Sequence, residues 1–186
     1  YVKRNPFGLV LIRGGIERSG VDRDAIKAVA AAGYGNGLHL VDADGRPVRN
    51  AIESSDGRAS GIIERWRKDQ VWERALPKTA QTIWAAQPNA LVAWIQENEP
   101  EVYERARWIL MAKDYIRFRL TGKFHAEITD MSGTSLLNVA EGRYDDDILE
   151  TFGIPGARDL LPPLIQSDEI AGEVTSEAAE MTGLKP

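Results

Sequence analysis

The sequence contains no cysteine and only two histidines, which excludes several kinds of functional site at once. Without cysteine, disulfides, thiolate nucleophiles and thiolate metal ligands are all ruled out, and a cytoplasmic protein is the default expectation. His39 and His125 lie far apart, and neither has a second metal-type residue at ligand spacing. The two histidines therefore predict neither a metal site nor a Ser-His-Asp triad.

Long apolar runs and an excess of positive charge are also absent. No hydrophobic stretch approaches the roughly 20 residues that a membrane span requires. Arg13 interrupts the short apolar part of the N-terminal segment, and no cleavage site follows, so that segment does not resemble a signal peptide. The net charge is −5, from 23 basic and 28 acidic residues. This balance argues against a nucleic acid or an anionic membrane surface as partner.

The remaining composition is that of a globular α/β protein, since segments with strand character alternate with amphipathic segments along the chain. Helices are predicted at about 7–17, from Arg58 for three or four turns, from Pro88, from Pro100, after Asp114, over 145–153, and over 175–183 with Thr175 or Ser176 as cap and Gly183 as stop. A hairpin with a tight turn at Asp44-Gly45 is predicted over 37–48. Strands are predicted over 25–35, 51–52, 107–113 and 169–174, and 69–87 is predicted to be irregular. The chain begins within a helical pattern and stops after "TGLKP". We therefore expect a piece of a longer protein.

The glycine-rich segment "GYGNG", residues 33–37, is the first candidate for a ligand site. Backbone amides in glycine loops can hold phosphate. No Lys-Ser/Thr pair follows this loop and no helix begins directly after it, so it is not a nucleotide-binding loop of the usual kind. Two interpretations stay open. The segment is either a tight connection between strands or a backbone kept clear of side chains so that a small polar ligand can approach.

The segment "SSDGR", residues 54–58, is the second candidate. Asp56 is well placed to cap the following helix, and Arg58 would then be a solvated helix residue. Alternatively, the two side chains recognise hydroxyl groups, because a carboxylate accepts hydrogen bonds and a guanidinium donates them. Ligands of open α/β sheets lie beyond the carboxyl ends of strands, where this segment is predicted to lie.

Two further features have structural explanations. The acidic run Asp145–Asp147 could suggest a metal site, but acidic residues at a helix N-terminus are favourable without any metal. Four tryptophans are predicted to lie in the core rather than to form a stacking platform: Trp66, Trp84, Trp94 and Trp108.

Three blocks, taken in order, resemble the FGGY carbohydrate kinase family, most closely its L-xylulose kinase and xylulokinase branch. They are "GNGLHLVDADGRPVRNAIESSDGRA", "QPNALVAWIQENEPEVYERARWILMAKDYIRFRLTGKF" and "LPPLIQSDEIAGEVTSEAAEMTGLKP". The resemblance extends from about Gly8 to Pro186, and it depends on the order and spacing of the blocks rather than on any one of them.

The resemblance implies an enzyme that phosphorylates a sugar or polyol with ATP and Mg²⁺, in a cleft between two ribonuclease H-like domains of the actin and hexokinase type. Residues 1–186 would be a partial N-terminal, sugar-binding domain with a mixed sheet flanked by helices. The Asp-x-Gly-Thr hairpin for the ATP phosphates, the ATP-binding domain and the catalytic aspartate, expected beyond Pro186, would lie outside it. This chain alone would then bind neither ATP nor metal and would be inactive. A homodimer is compatible with the family.

The resemblance also assigns sugar contacts. Gly35 and Asn36 match positions that line the sugar pocket, with Tyr34 beside them. "SSDGR" matches an Asn-Asp-x-Arg-type turn, with Asp56 and Arg58 in register. Ser54 stands where many relatives carry an aromatic residue, and serine there is typical of the L-xylulose kinase-like branch.

Departures from the family pattern narrow the substrate. The segment "AAQPNALVAWIQEN" has Leu91 where lysine is usual and Ala86 where the glycerol kinase branch has an aromatic sugar contact. Glycerol is therefore a poor candidate, and a pentulose such as L-xylulose or D-xylulose, or a related polyol, is expected. The alternative is a non-catalytic sugar-binding or regulatory module derived from such a kinase.

Overall fold

The structure is a computed structural model that describes residues 7–186; the first six residues of the N-terminal segment considered above lie outside this range. The helices are α1 (Phe7–Ser19), α2 (Ser60–Lys68), α3 (Val71–Thr79), α4 (Pro88–Asn98), α5 (Pro100–Arg105), α6 (Ala112–Thr121), α7 (Ile128–Ser132), α8 (Asp146–Thr151) and α9 (Ser176–Thr182). The strands are β1 (His39–Val41), β2 (Trp108–Leu110), β3 (Ala126–Glu127), β4 (Leu137–Asn138), β5 (Arg143–Tyr144) and β6 (Leu164–Ile165).

The strands form three small sheets of two strands each, and the helices pack around them. β1 pairs with β2 and β4 with β5 in antiparallel fashion, whereas β3 and β6 are parallel. Both parallel and antiparallel pairs therefore occur, as expected for a mixed α/β protein. Between residues 7 and 186, no helix is long and apolar enough to cross a membrane.

The hairpin predicted around Asp44-Gly45 is confirmed. Gly45 has a φ of +76°, which a residue with a side chain rarely adopts, and the ring of Phe118 packs where a Cβ would lie. The backbone N–H of Val48 returns to donate to the carbonyl of Leu40. The turn thus folds this segment back onto β1.

The main core lies between this hairpin and the helices α2, α3, α4 and α8. α4 is buried on most of its surface because it lies at the centre of this group, and Leu91, Val92 and Ile95 are at most 1% exposed. Burying each such side chain contributes about 1.5–3 kcal/mol relative to leaving it in water. A smaller cluster joins α1, α6 and α9 through Leu9, Leu120 and Ala178.

Several helix boundaries occur where the sequence signals predict them. Thr175 caps α9 by accepting a hydrogen bond from the N–H of Ala178, and Gly183 ends it in the left-handed conformation. Asp145 caps α8 by accepting from the N–H of Asp147, and Lys78 forms ion pairs with both carboxylates. Helix capping and this lysine account for the acidic run.

The strand predicted over residues 25–35 is wrong. Residues 23–25 form a 3-10 turn and the rest is irregular and largely exposed, with Val29 at 45%. A strand needs a neighbour to satisfy its backbone hydrogen bonds, and the described part of the chain offers this segment no ladder. Its many alanines also provide little apolar surface to bury.

Two other local predictions are wrong. Residues 69–87 are irregular only in part, because α3 forms over Val71–Thr79 and buries Val71, Ala75 and Thr79, which are spaced along one helical face, whereas 80–87 form no helix or strand. Residues 169–174 are not a strand, and Ile170 is 91% exposed. The strand in this part of the chain is β6, which begins five residues before 169 and pairs with β3.

Candidate functional site

The backbone of "GYGNG" runs close to three neighbouring segments, and at Gly37 a side chain does not fit. Gly37 has a φ of +73°, and a Cβ there would lie 2.5 Å from the carbonyl oxygen of Ile52. Its N–H donates to the carbonyl of Ala86. This glycine therefore supports the interpretation as a tight connection.

At the other two glycines, Gly33 and Gly35, the loop backbone lies close to polar groups of α6 and α7. A Cβ on Gly33 would lie 3.2 Å from the backbone nitrogen of Lys113, at the start of α6. A Cβ on Gly35 would lie 3.0 Å from Oδ1 of Asp130, in α7. The loop thus brings the family-matched position 35 against a carboxylate that the sequence analysis did not single out.

Asn36 has the left-handed conformation, with a φ of 63°, which asparagine tolerates better than most residues. Its side-chain oxygen Oδ1 is buried and has no hydrogen-bond partner among residues 7–186. Its Nδ2 lies 3.9 Å from the position that a Cβ on Gly133 would occupy. A buried acceptor without a donor costs about 1–3 kcal/mol, so a ligand hydroxyl that donated to it would recover that energy.

Asp130 lies at the N-terminal end of the short helix α7, and only 8% of its side chain is exposed. Its Oδ2 is buried and accepts no hydrogen bond from the described residues. The nearest cation is Lys113, whose Nζ lies 3.7 Å from that oxygen, beyond hydrogen-bond range. Burial raises the pKa of Asp130, although the charge of Lys113 opposes this shift.

Lys113 is held by a different carboxylate, that of Glu127. Its Nζ lies 2.5 Å from Oε2 of Glu127, and this oxygen also accepts from the hydroxyl of Thr129. Oε1 of Glu127 accepts from the N–H of Thr129 and from the hydroxyl of Ser167. Burial would raise the pKa of Glu127, but these donors outweigh it and hold that pKa well below its usual range. Glu127 therefore fixes the lysine and caps α7, where it also accepts from the N–H of Asp130.

A second buried carboxylate, Asp114, links the backbone before α6 to the backbone before α7. It accepts hydrogen bonds from the N–H groups of Met111 and Glu127 and from the guanidinium of Arg117. Burial raises the pKa of Asp114 to about 6, with the charge of Arg117 acting in the opposite direction. Because it binds both backbone segments, Asp114 sets the position of Glu127 relative to the start of α6.

The turn containing Asp56 does not cap α2. The N-cap of α2 is Ala59, and the carboxylate of Asp56 instead binds Arg58 through its backbone N–H, Nε and Nη2 at 2.8–2.9 Å. Gly57 and Arg58 separate Asp56 from the N-cap, so its carboxylate lies outside the first turn of α2. The hydrogen bonds from Arg58 are also the main reason why the pKa of Asp56 is lowered.

Asp56 and Arg58 belong to a different cluster from Gly35 and Asn36. The guanidinium of Arg58 lies 4.9 Å from the ring centroid of Trp94, in α4, and neither member of the ion pair is fully buried. The backbone of Ser54 connects the clusters, because its nitrogen lies 3.2 Å from where a Cβ on Gly37 would be.

Tyr34 lies near Glu53, the residue before Ser54. Tyr34 is 48% exposed, and its pKa is raised by partial burial and by the charge of Glu53. Its ring lies 6.3 Å from that of His39. The structure thus groups Tyr34 with the residues just before the Asp56–Arg58 ion pair.

The loop before α4 completes the surroundings of the glycine segment. Gln87 is fully buried and donates to Gln81 and to the carbonyl of Gly133, while Gln81 donates to the carbonyl of Ser132. This network ties the end of α7 to the loop that contacts Gly37. Trp84 lies in the same loop and is 39% exposed, so the prediction that it belongs to the core is wrong.

Residues 11–186 match the sequence model of the N-terminal domain of the FGGY family of carbohydrate kinases. The chain is 41% identical to the probable L-xylulose kinase of Pasteurella multocida over 94% of this chain and 36% of that protein. It is 38% identical to the L-xylulose/3-keto-L-gulonate kinase of Escherichia coli, over 95% of this chain and 36% of that protein. The chain therefore spans about a third of the length of these curated relatives.

Solved structures support the predicted ribonuclease H-like fold of the actin and hexokinase type. The ligand-bound xylulose kinase of Lactobacillus acidophilus superposes with a TM-score of 0.86 at 22% identity, over 96% of this chain and 35% of that one. The glycerol kinase of Plasmodium falciparum with ADP gives a TM-score of 0.84 at 20% identity, over 94% and 36% of the two chains. At these identities the likeness establishes the fold.

Proposed function

Because the chain belongs to the FGGY family of carbohydrate kinases, we propose that it is the sugar-recognition part of an ATP-dependent kinase for a pentulose. L-Xylulose or D-xylulose, or a related polyol, is the proposed substrate, in line with the names of the relatives. Residues 1–186 are proposed to be a partial N-terminal domain. The phosphate-binding hairpin, the catalytic aspartate and the ATP-binding domain would belong to other parts of the whole enzyme.

The observation that carries this proposal is the unpartnered oxygen of Asn36 at the glycine segment. Its Oδ1 is buried without a hydrogen-bond donor in the described chain. Gly35 adds no side chain between this asparagine and α7. A sugar hydroxyl is small, polar and able to donate, so it would satisfy Oδ1 where a bulkier or apolar ligand would not.

The residues of the Asp56–Arg58 turn are proposed to form the rim of the same pocket. Their ion pair uses Nε and Nη2 of Arg58 and leaves Nη1 outside it. Nη1 could donate to a ligand oxygen while the pair stays intact. Tyr34, which is half-exposed, and Ser54 would contribute hydroxyl groups that both donate and accept.

The residues of this chain are proposed to bind and orient the sugar. Within residues 7–186, no group of three or more His, Asp or Glu side chains could hold a metal ion. ATP and Mg²⁺, which the family implies, would supply the phosphoryl group and stabilise its charge in the whole enzyme. Holding the acceptor hydroxyl in one orientation is a large part of such catalysis, because it removes the entropic cost of alignment.

The proposal is tested by assaying the full-length protein with ATP against a panel of ketoses and polyols. We expect the highest kcat/KM for a pentulose and little activity with glycerol. Binding of a pentulose without any phosphorylation would favour the alternative, a non-catalytic sugar-binding module. Neither binding nor turnover with any member of the panel would overturn both. A cytoplasmic location and a homodimer stay predictions.

A further inference from the structure

Asp130 is a buried carboxylate that its surroundings leave short of hydrogen-bond donors. The side chain is 8% exposed and Oδ2 accepts no hydrogen bond within the described chain. Transferring a charged group out of water is costly unless it is paired and hydrogen-bonded. Its position therefore calls for a partner that residues 7–186 do not provide.

The nearby lysine does not fill this role. Lys113 donates to Glu127 at 2.5 Å, and its distance of 3.7 Å to Asp130 is that of a weaker ion-pair contact. Glu127 is itself surrounded by donors, including Thr129 and Ser167. The arrangement directs Lys113 toward Glu127 and leaves Oδ2 of Asp130 available as an acceptor.

The side chain of Asp130 lies next to the glycine segment. Its Oδ1 is 3.0 Å from where a Cβ on Gly35 would be, and Nδ2 of Asn36 is 3.9 Å from the Cβ position of Gly133, three residues after Asp130. Two buried oxygens without donors, Oδ1 of Asn36 and Oδ2 of Asp130, therefore belong to side chains of neighbouring segments.

We propose that Asp130 binds the sugar directly, accepting a hydrogen bond from one hydroxyl while Asn36 accepts one from a second hydroxyl. This inference rests on the proposed function and adds a specificity-determining residue to it. The ligand must offer two donors, so the class it fits is a polyol or ketose with at least two free hydroxyl groups. A monodeoxy sugar lacking one of them would leave a buried acceptor unpaired.

The test uses the full-length protein and measures sugar binding by calorimetry without ATP, together with steady-state kinetics. Asp130→Ala and the isosteric Asp130→Asn are compared on L-xylulose, D-xylulose and their monodeoxy analogues. We expect Asp130→Ala to raise Kd and KM about 10- to 100-fold, the range for a hydrogen bond to a charged group, with a smaller change in kcat. Asp130→Asn should show the same direction with a smaller effect.

Discrimination between sugars separates contact from a structural role. The wild type should prefer the parent pentulose over one monodeoxy analogue by about tenfold or more, and Asp130→Ala should lose that preference. The matched control is Asp146→Asn, an exposed aspartate in the first turn of α8, which should leave Kd unchanged. If Asp130→Ala does not fold, Asp130→Asn carries the test alone.

The outcomes separate the two proposals. Unchanged Kd in both Asp130 variants of an active pentulose kinase would overturn this inference and leave the proposed function standing. Weaker binding of every analogue by the same factor, with discrimination retained, would also overturn it, because Asp130 would then act on the fold. A wild type that neither binds nor phosphorylates a pentulose would overturn the proposed function and this inference with it.

Discussion

At the scale of single residues, the candidate site contains two of the buried polar atoms that the described protein leaves without a hydrogen-bond partner. Asn36 combines a left-handed backbone with a buried oxygen that lacks a donor. Asp130 has a buried oxygen in the same situation. Such groups reduce stability, and they are frequent where a ligand completes the hydrogen bonding.

Replacing Asn36 with glycine should separate stability from binding. Glycine adopts a positive φ without strain and removes the unsatisfied oxygen, and this gain offsets the entropic cost of glycine, so the free energy of unfolding should not fall below that of the wild type. Sugar KM should rise about tenfold, because one hydrogen bond is lost. Urea unfolding and steady-state kinetics measure the two effects. A large loss of stability with an unchanged KM would contradict a binding role.

Asp114 should make stability depend on pH in a way that its isosteric variant does not. Its pKa is raised from 3.8 to about 6 in the folded protein, so its contribution to stability is present below about pH 4 and is lost as the pH rises through about 6. The unfolding free energy of the wild type, minus that of Asp114→Asn, should therefore increase by about 1 kcal/mol from pH 7 to pH 5. A difference that is constant over this range would contradict the shift.

At the scale of elements, the site depends on close contact between a loop and the segments around it. The glycine segment lies against the start of α6, the helix α7 and the backbone of Ile52. Glu127 links two of these elements, since it caps α7 and pairs with Lys113 in α6. The positions of the polar side chains are consequently set by backbone packing.

Gly37→Ala should disrupt the junction between the glycine segment and the strand-like residue Ile52. The added Cβ would lie 2.5 Å from a backbone oxygen and would impose a left-handed conformation on alanine, so we expect a loss of at least about 2 kcal/mol in the free energy of unfolding. Gly61→Ala is the control, because nothing lies within 4 Å of its Cβ position in α2. That variant should be neutral or more stable by up to about 1 kcal/mol. Equal stability of the two variants in urea unfolding would show that the junction can relax.

At the scale of the whole molecule, residues 11–186 match the N-terminal domain of the FGGY family. The chain spans about a third of the length of its curated relatives. In the proposed kinase, phosphoryl transfer would depend mainly on positioning and electrostatics, and this chain would contribute the positioning of the sugar. The sugar contacts proposed for this chain all lie within that domain.

The isolated chain of residues 1–186 should therefore show no ATP-dependent phosphorylation of a pentulose, whereas the full-length protein should. A coupled assay for ADP release, run at equal molar concentrations of the two proteins, measures this. The wild-type full-length protein is the positive control. Appreciable turnover by the isolated chain would contradict the assignment of catalysis to other parts of the enzyme.

The sequence alone determined the features that depend on nearby residues. The cap at Thr175, the helix end at Gly183 and the turn at Gly45 were predictable because each involves hydrogen bonds or backbone angles within a few positions. The family was also recognisable, since the order and spacing of several blocks are properties of the sequence.

Tertiary structure decided what local patterns do not encode. Asp56 looked like a helix cap and is instead paired with Arg58, while Asp130 gave no local signal and lies buried against Gly35. The segment 25–35 looked like a strand and forms none in the described structure. In each case the outcome depends on which distant segment supplies a partner or excludes water, because burial and hydrogen-bond satisfaction are set by contacts between residues far apart in the chain.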